Sequence, residues 1–291
     1  ETLEISGQKA IDFFHELHKE NPIKQVKGFW LKNKKKSLFY ILSSFLALVF
    51  LSYFFIIPWL GEKATLLIPK STEIELGESL AKNIEATEII DVELSLKLNK
   101  FAKQLKINGG YPIKIHVVKS ETVNAFAIPG GNVFIYTGIL EKMDSYEELV
   151  ALLGHEITHI THQHSLKSIG RSAASSIFVS SLFGDVGGVT TGIANKADQL
   201  KQLGYSRELE TEADTEGVEF LKLNHISARG MKNLLTILDD ENDNMNGLIE
   251  YISSHPDTKK RIKNVSQFNF TFPENEKLAE LFDEIIAEIQ H

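Results

Sequence analysis

The sequence contains no cysteine, and that absence removes several kinds of chemistry at once. Disulfide bonds, thiolate zinc sites, iron–sulfur clusters and a thiol nucleophile are all excluded for this chain. An excess of positive charge is also lacking, since 31 Lys and Arg stand against 39 Asp and Glu, a formal net charge of −8. Acidic chains are poor general binders of nucleic acid, so we expect no nucleic-acid partner. With 43% apolar residues, the composition is that of a folded protein with its own core.

Charged residues are missing altogether from residues 38–60. This stretch reads LFYILSSFLALVFLSYFFIIPWL and is long enough to cross about 30 Å of hydrocarbon as a helix. A soluble core helix normally carries polar residues at every turn or so, and a cleaved signal peptide ends in small residues rather than in Pro58 and Trp59. We therefore predict an uncleaved transmembrane helix over residues 38–60.

The two flanks of this stretch differ in charge, which predicts its orientation. Residues 1–37 hold eight lysines and five acidic residues, whereas residues 61–291 hold 23 basic and 34 acidic residues. Basic flanks stay on the cytoplasmic side, so we expect residues 61–291 on the periplasmic side of a bacterial inner membrane. Residues 1–37 form a basic N-terminal segment, which fits either an amphipathic helix on the membrane or the end of an upstream domain.

The periodicity of residues 61–291 predicts a mixture of helices and short strands. Residues 74–105 have helical spacing and predict two helices, the second from about Val92 to Leu105. Residues 113–118 alternate as a strand does, and residues 124–136 predict two short strands joined by a Pro-Gly-Gly turn. From Tyr146 to about Ser168 the pattern is helical again. We expect an α+β domain, mainly helical with a small β-sheet, preceded by one transmembrane helix.

Two further segments carry weaker signals. Residues 169–194 predict a helix followed by a mobile loop, which could act as a lid over a cleft or skim the membrane surface. Residues 273–291 have apolar side chains at helical spacing and predict a helix that docks on its own domain or on another subunit.

The predicted helix from Tyr146 contains an H-E-x-x-H motif at His155-Glu156-Ile157-Thr158-His159. Positions four apart share one face of a helix, so His155 and His159 can present imidazole nitrogens to a single metal ion. Glu156 then lies beside that ion and can act as the general base for a metal-activated water. A motif this short also arises by chance, so the interpretation needs a third ligand.

The third ligand is predicted from an acidic stretch further along the chain. One class of these enzymes requires Gly at position 162 and His at position 165, but this chain has His162 and Ser165. The other class takes a Glu from a later helix, which Glu210 can supply as the ligand. Asp214, one turn further on, would accept a hydrogen bond from a ligating imidazole. We interpret His162 and His164 as supporting or surface residues and not as ligands.

Four motifs together resemble one family, and they occur in the family's order. They are Asn124-Ala125-Phe126-Ala127-Ile128-Pro129-Gly130-Gly131, the H-E-x-x-H motif, Ser206-Arg207-x-x-Glu210-x-x-Ala213-Asp214, and Ser254-His255-Pro256 followed by Arg261-Ile262. Over residues 70–265 the chain resembles the zinc metallopeptidases of the HtpX, OMA and CAAX-prenyl-endopeptidase group. The resemblance implies a zincin-type fold, one Zn²⁺ per chain held by His155, His159 and Glu210, and Glu156 as general base.

The resemblance also implies roles for residues outside the metal ligands. It suggests that His255 and Arg261 are catalytic residues near the cleft. They could donate hydrogen bonds to the oxyanion of the reaction, or His255 could occupy the open position of the zinc in a latent state. An edge strand beside the zinc could bind extended substrates through its backbone, and the predicted substrate-binding residues are Asn124, Ala125, Phe126 and Ala127.

We expect a membrane-anchored zinc endopeptidase that hydrolyses peptide bonds in polypeptide substrates, by analogy misfolded or envelope proteins. The chain departs from the HtpX-type relatives at residues 169–194, where those proteins have further membrane spans and this one has no apolar run long enough. Prenylated peptides are for the same reason not the expected substrate. The alternative is a catalytically silent chaperone or assembly factor with the same fold, and the complete set of ligands and base argues against it. The oligomeric state is left open.

Overall fold

A computed structural model describes residues 34–183, 205–243 and 257–290, together with Asp12 and His255. It divides the chain into two units, residues 1–56 and residues 57–291. The first unit holds helix α1 (Lys34–Leu51) and a π-helical turn (Ser52–Ile56). By length and composition, Lys36–Thr65 is the one helix in the described part of the chain that could cross a membrane, and none of its most apolar window is buried. This helix contains the predicted transmembrane stretch.

In its described residues the second unit is mainly helical and carries one small sheet. Its helices are α2 (Ile57–Thr65), α3 (Lys70–Glu85), α4 (Val92–Ala102), α5 (Thr137–Leu140), α6 (Tyr146–Thr161), α7 (His164–Phe183), α8 (Arg207–Leu223), α9 (Arg229–Asp243), α10 (Thr258–Val265) and α11 (Glu276–Ile289). Its strands are β1 (Ile90–Asp91), β2 (Lys114–Val118), β3 (Ala125–Ile128) and β4 (Asn132–Tyr136). The predicted α+β class is confirmed, as are the two helices in residues 74–105.

The four strands form a mixed sheet in the order β1-β2-β4-β3, which leaves β3 at an edge. Strand β4 runs parallel to β2 and antiparallel to β3, with Ala125 opposite Ile135. The predicted Pro-Gly-Gly turn is a short 3-10 segment in which Gly130 and Gly131 have positive φ angles of 84° and 113°. Glycine adopts such angles without steric cost, which explains the pair at this turn.

Helix α6 lies in the middle of the core. Every residue from Tyr146 to Ile160 is buried, including three charged or ionisable residues in the H-E-x-x-H motif. The helix packs against α8, α9 and strand β3. Its N-terminus is fixed by Glu148, whose Oε2 accepts hydrogen bonds from the backbone N–H groups of Asp144 and Ser145 at 2.7 and 3.2 Å. The helix that carries the motif is thus fixed by packing against neighbouring helices and a strand.

The prediction of one continuous helix from Tyr146 to about Ser168 was wrong. Helix α6 ends at Thr161, and α7 begins at His164. Between them Gln163 adopts a left-handed conformation with φ 57°, the usual conformation of a residue that terminates a helix. Its side-chain amide donates to Glu73 Oε2 on α3 at 2.7 Å, which holds the break in place. The chain therefore changes direction directly after the motif.

Helix α7 packs against α2 through glycines. A Cβ on Gly61 would lie 2.3 Å from the carbonyl oxygen of Gly170, and a Cβ on Gly170 would lie 2.4 Å from Thr65 Cγ2. Beside this contact Arg171 Nη2 pairs with Glu62 Oε2 at 2.7 Å. The helix predicted at the start of residues 169–194 is confirmed as far as Phe183, and the predicted loop lies outside the described residues.

The predicted C-terminal docking helix is α11, and it docks on its own unit. It packs against α4 and α6, and its buried side chains include Leu278, Leu281, Phe282 and Ile285. Asn275 caps it by accepting a hydrogen bond from the Leu278 N–H at 3.2 Å. Most of the basic N-terminal segment, with Ser254 and Pro256, lies outside the described residues.

Candidate metal and active site

The two motif histidines face one point from adjacent turns of α6. His155 Nε2 and His159 Nε2 lie 3.1 Å apart, and both side chains are fully buried. Helix α8 brings Glu210 to the same point, with Oε2 3.6 Å from His155 Nε2 and Oε1 3.6 Å from His159 Nε2. Ligand atoms around a tetrahedral zinc, each about 2.0–2.1 Å from the ion, are separated by about 3.3 Å, close to these spacings.

Each motif histidine is held at its other ring nitrogen. Asp214 Oδ1 lies 3.1 Å from His155 Nδ1, so that nitrogen carries the proton. His164 Nδ1 lies 2.9 Å from His159 Nδ1, and His164 Nε2 lies 3.1 Å from the carboxylate of Glu212. Because the carboxylate requires a proton on His164 Nε2, the neutral ring accepts at Nδ1 and His159 Nδ1 must donate.

These tautomers leave Nε2 of His155 and of His159 as two unprotonated acceptors. They face each other at 3.1 Å with a carboxylate alongside, an arrangement that is repulsive unless a cation lies between them. Two imidazole nitrogens and one carboxylate oxygen are the donor set of many zinc enzymes. The residues present therefore fit a bound metal ion.

Burial and local charge favour the protonation states that metal binding requires. Burial, reinforced by the neighbouring histidines, lowers the pKa of His159 well below its usual range and keeps the ring neutral. Burial alone would raise the carboxylate pKa values of Glu210 and Asp214. The charges of His255 and Arg261 nevertheless hold the pKa of Glu210 below its ordinary value. The charge of Arg261 does the same to the pKa of Asp214.

Arg261 of α10 is buried at the centre of this charge arrangement. Its Nε and Nη2 donate to the two oxygens of Asp214 at 2.8 and 2.7 Å, a bidentate pair. Its Nη1 lies 2.9 Å from Glu210 Oε2 and donates to the His255 carbonyl at 3.3 Å. One guanidinium thus joins the predicted third ligand, the acid behind His155 and the backbone of His255.

Glu156 lies beside the cluster with a buried carboxylate. Within the described part of the chain, neither of its oxygens has a hydrogen-bond partner of normal geometry. Burial raises the pKa of Glu156 to about 7 and outweighs the opposing effect of His155. A carboxylate with a pKa near the working pH suits a general base, because it can both take and return a proton.

His255 lies inside the ligand cluster itself. Its Nδ1 is 2.9 Å from Glu210 Oε1 and 3.3 Å from His155 Nε2, and its Nε2 is 4.0 Å from Glu156 Oε1. One donor atom from each of His155, His159, Glu210 and His255 can be chosen so that all lie within 4.8 Å of one another. The structure therefore brings the predicted residue to the metal-binding point.

Sequence reasoning missed a tyrosine that packs on the site. The Tyr205 ring stacks on His159 with centroids 4.0 Å apart and an interplanar angle of 16°. Its hydroxyl donates to Ser165 Oγ at 2.7 Å, and Ser165 in turn donates to the Ala127 carbonyl at 2.8 Å. Burial raises the pKa of Tyr205, so the hydroxyl stays protonated. Its position just before the acidic helix was the one available signal, and no spacing rule singles it out.

The predicted substrate strand lies at the sheet edge and packs against α6. The Asn124 carbonyl accepts from the Tyr136 N–H at 3.0 Å, so the alternation of an antiparallel pair turns the backbone groups of Ala125 and Ala127 away from β4. The carbonyl of Ala127 is bonded to Ser165. All four side chains of the strand are buried, and Phe126 stacks on Phe134 with centroids 5.2 Å apart.

Comparison with known sequences agrees with this geometry. The profile of peptidase family M48 matches residues 91–269, which include α6, α8, His255 and Arg261. The chain belongs to peptidase family M48. The match covers strands β2 to β4, every residue of the metal-binding cluster and the buried arginine behind it, so the family identification rests on the part of the chain that builds the site.

Three relatives illustrate the range of this M48 chain's similarity. It is 34% identical over 146 residues to the metalloprotease YcaL of Escherichia coli, covering 46% of this chain and 55% of that protein. It is 31% identical over 157 residues to the mitochondrial metalloendopeptidase OMA1 of Schizosaccharomyces pombe, covering 53% of this chain and 46% of that protein. It is 23% identical over 218 residues to the beta-barrel assembly-enhancing protease of Yersinia pestis, covering 69% of this chain and 44% of that protein. The matches span about half the length of these relatives.

Proposed function

We propose that this M48 chain is a membrane-anchored, zinc-dependent endopeptidase that hydrolyses peptide bonds in protein substrates. One observation carries the proposal: the Nε2 atoms of His155 and His159 and the carboxylate of Glu210 converge in a buried pocket, with both ring tautomers fixed from behind. Two imidazole acceptors that face each other at 3.1 Å are unfavourable without a cation between them, even though the Glu210 carboxylate is paired with Arg261. The names of the relatives, a metalloprotease and a metalloendopeptidase, support the same class of reaction.

The chemistry divides between the metal and Glu156. His155, His159 and Glu210 would hold a zinc ion, which would supply Lewis acidity towards a peptide carbonyl and a water molecule. Glu156 removes a proton from the attacking water and returns it to the nitrogen of the leaving amine. Its buried carboxylate and its pKa of about 7 suit both transfers.

Asp214 and Arg261 act in this proposal as positioning residues. Asp214 fixes the tautomer and the plane of His155, and Arg261 fixes Asp214 and Glu210 by direct hydrogen bonds and ion pairs. The guanidinium is already occupied by these two carboxylates, which favours a structural role for Arg261 over that of an oxyanion donor.

His255 has two candidate roles, and its position favours one of them. Its Nδ1 lies at hydrogen-bonding distance from Glu210 and close to His155 Nε2, where an incoming carbonyl or water would have to bind. We therefore propose that the conformation described is a closed one, in which His255 takes the place of substrate and must withdraw before cleavage.

The substrate and the location follow by inference from the rest of the chain. The edge position of β3 supports binding of extended polypeptide through the outward-facing backbone of Ala125, whereas the Ala127 carbonyl is already bonded to Ser165. The apolar helix Lys36–Thr65 supports membrane anchoring, and the basic residues before it support a periplasmic catalytic unit. Misfolded or envelope proteins near the membrane are the substrate class that this arrangement fits.

The proposal is tested with the full chain purified in detergent. At low free zinc, where only the tightest site fills, wild type should contain close to one zinc by elemental analysis, and Glu210→Ala should lose it. Glu208→Ala, an exposed glutamate on the same helix, is the matched control and should keep the metal. Glu156→Gln should keep the zinc and lose cleavage of an unfolded protein such as casein by at least about 100-fold, since the ligands survive and the base does not.

Each result separates one part of the proposal from the others. Zinc bound by Glu210→Ala with the same affinity and stoichiometry as wild type would remove Glu210 from the ligand set. Cleavage retained by Glu156→Gln at wild-type rate would remove the general-base role. A well-folded wild type without zinc after supplementation would exclude the enzyme and favour the silent chaperone or assembly factor.

A further inference from the structure

A second group of metal-ligating side chains lies behind the first, nearer to solvent. His162 Nδ1 is 3.0 Å from Glu212 Oε1, and His164 Nε2 is 3.1 Å from Glu212 Oε2. One donor atom from each of the three residues can be chosen so that all lie within 4.8 Å of one another. Like the first cluster, this one joins two imidazoles to one glutamate of α8, but here the imidazoles lie just after α6 and at the start of α7.

The second cluster differs from the first in access. His164 is fully buried, whereas the side chains of His162 and Glu212 are 33% and 44% exposed. A cation can therefore reach the three donors directly from solvent and complete its coordination with water. Two nitrogens and one carboxylate oxygen favour a borderline transition-metal ion such as zinc over calcium, which prefers oxygen ligands.

We propose that His162, His164 and Glu212 form a second divalent transition-metal site, and that its occupation opposes metal binding at His155, His159 and Glu210. The second site depends only on the positions of its own three side chains. The opposition between the two sites also depends on the metal site of the proposed function. The two clusters share one hydrogen bond, from His159 Nδ1 to His164 Nδ1 at 2.9 Å.

The opposition follows from the position of one proton on His164. When the first site holds its metal through His159 Nε2, His159 donates from Nδ1 to an unprotonated His164 Nδ1, and His164 keeps its proton on Nε2 towards Glu212. A cation at the second site takes the lone pair of His164 Nε2, so the proton of the neutral ring moves to Nδ1. Two N–H donors would then face each other at 2.9 Å. The conflict ends only if His159 moves its own proton to Nε2, which removes it as a ligand, or if the rings separate.

Metal stoichiometry of the full chain tests this site without relying on activity. The metal-stripped protein in detergent is dialysed against buffered Zn²⁺ over a wide range of free concentrations, and bound zinc is measured. Wild type should fill in two steps, to two zinc ions per chain. His162→Gln should keep the first step and lose the second or weaken it at least tenfold, and Glu212→Gln should do the same. His225→Gln, an exposed histidine remote from both clusters in sequence, is the control and should match wild type.

The coupling is read from a variant that lacks the first site. Because coupling free energy is reciprocal, the second site should bind zinc at least tenfold more tightly in Glu210→Ala than in metal-loaded wild type. Equal affinities would refute the opposition. If wild type saturates at one zinc and Glu210→Ala loses that zinc, the second site is refuted and the proposed function stands. If wild type saturates at one zinc and His162→Gln loses that zinc instead, the proposed function is refuted and the second site stands. Ca²⁺ in place of Zn²⁺ should show no second step.

Discussion

Replacing Arg261 with methionine tests the charge arrangement behind the metal-binding cluster. Arg261 is 3% exposed, makes two hydrogen bonds to Asp214 and pairs with Glu210, and both acids are equally buried. Methionine keeps an apolar stem of similar length but leaves two buried carboxylates without their counter-charge. Breaking a buried ion pair in this way costs about 3–5 kcal/mol of unfolding free energy.

The measurement is thermal unfolding of the full chain in detergent, followed by far-UV circular dichroism in the presence of a chelator. The chelator matters because a bound cation would itself compensate Glu210 and reduce the penalty. For a unit of this size, roughly 2–4 °C of melting temperature correspond to 1 kcal/mol, so Arg261→Met should melt about 6–20 °C below wild type. Arg207→Met is the matched control: its ion pair with Asp257 spans 3.5 Å and its side chain is 71% exposed, so a change of about 0–1 kcal/mol is expected.

The pH dependence of this difference provides a second check. The pKa of Asp214 in the folded protein lies below its ordinary value of 3.8, so its ion pair stabilises the fold at neutral pH and loses that contribution as pH falls below about 4. Arg261→Met lacks the contribution at every pH. The gap between the two melting temperatures should therefore narrow below about pH 4. A variant that melts within 1 °C of wild type at neutral pH, or a gap that widens in acid, would refute the reasoning.

Three further substitutions probe other parts of the unit. Tyr205→Phe should keep the stack on His159 but lose the hydrogen bond to Ser165, so zinc content measured by elemental analysis should stay near wild type while unfolding free energy falls by about 1 kcal/mol. Asn224→Ala removes a cap of α8 that also binds the backbone of Lys106, and should lower unfolding free energy in urea by about 1–3 kcal/mol. Gly170→Leu should disrupt the packing of α7 on α2, because even a Cβ there approaches Thr65 to 2.4 Å, and limited proteolysis should cut within α7 faster than in wild type.

Local sequence patterns were sufficient to predict the framework of the second unit. Helical spacing predicted α3 and α4, alternation predicted β2, and the Pro-Gly-Gly turn predicted the pairing of β3 with β4. Each of these signals depends on neighbouring residues only, so it survives in the sequence whatever the tertiary structure. The i, i+4 spacing of His155 and His159 belongs to the same class, since one helical turn alone brings their side chains together.

Contacts between distant elements were outside the reach of such patterns. Tyr205 stacks on His159 because the start of α8 passes over the end of α6, and nothing in the five residues around either one encodes that approach. Arg261 was predicted near the cleft by resemblance to a family, whereas its pairing with Asp214 and Glu210 depends on how α10 packs against α8. A family motif records that a residue is needed but does not record what it touches.

The break after α6 shows why two residues just beyond a local motif can belong to its chemistry. In a continuous helix, His164 would lie about 140° around the axis from His159 and could not reach its Nδ1. The left-handed turn at Gln163, which costs about 1 kcal/mol for a residue with a side chain, swings His164 back to 2.9 Å from that atom. The hydrogen bond from Gln163 to Glu73 and the one from His159 to His164 offset this cost. The turn thus supports the orientation of a proposed metal ligand, and by the same movement it places His162 and His164 beside Glu212.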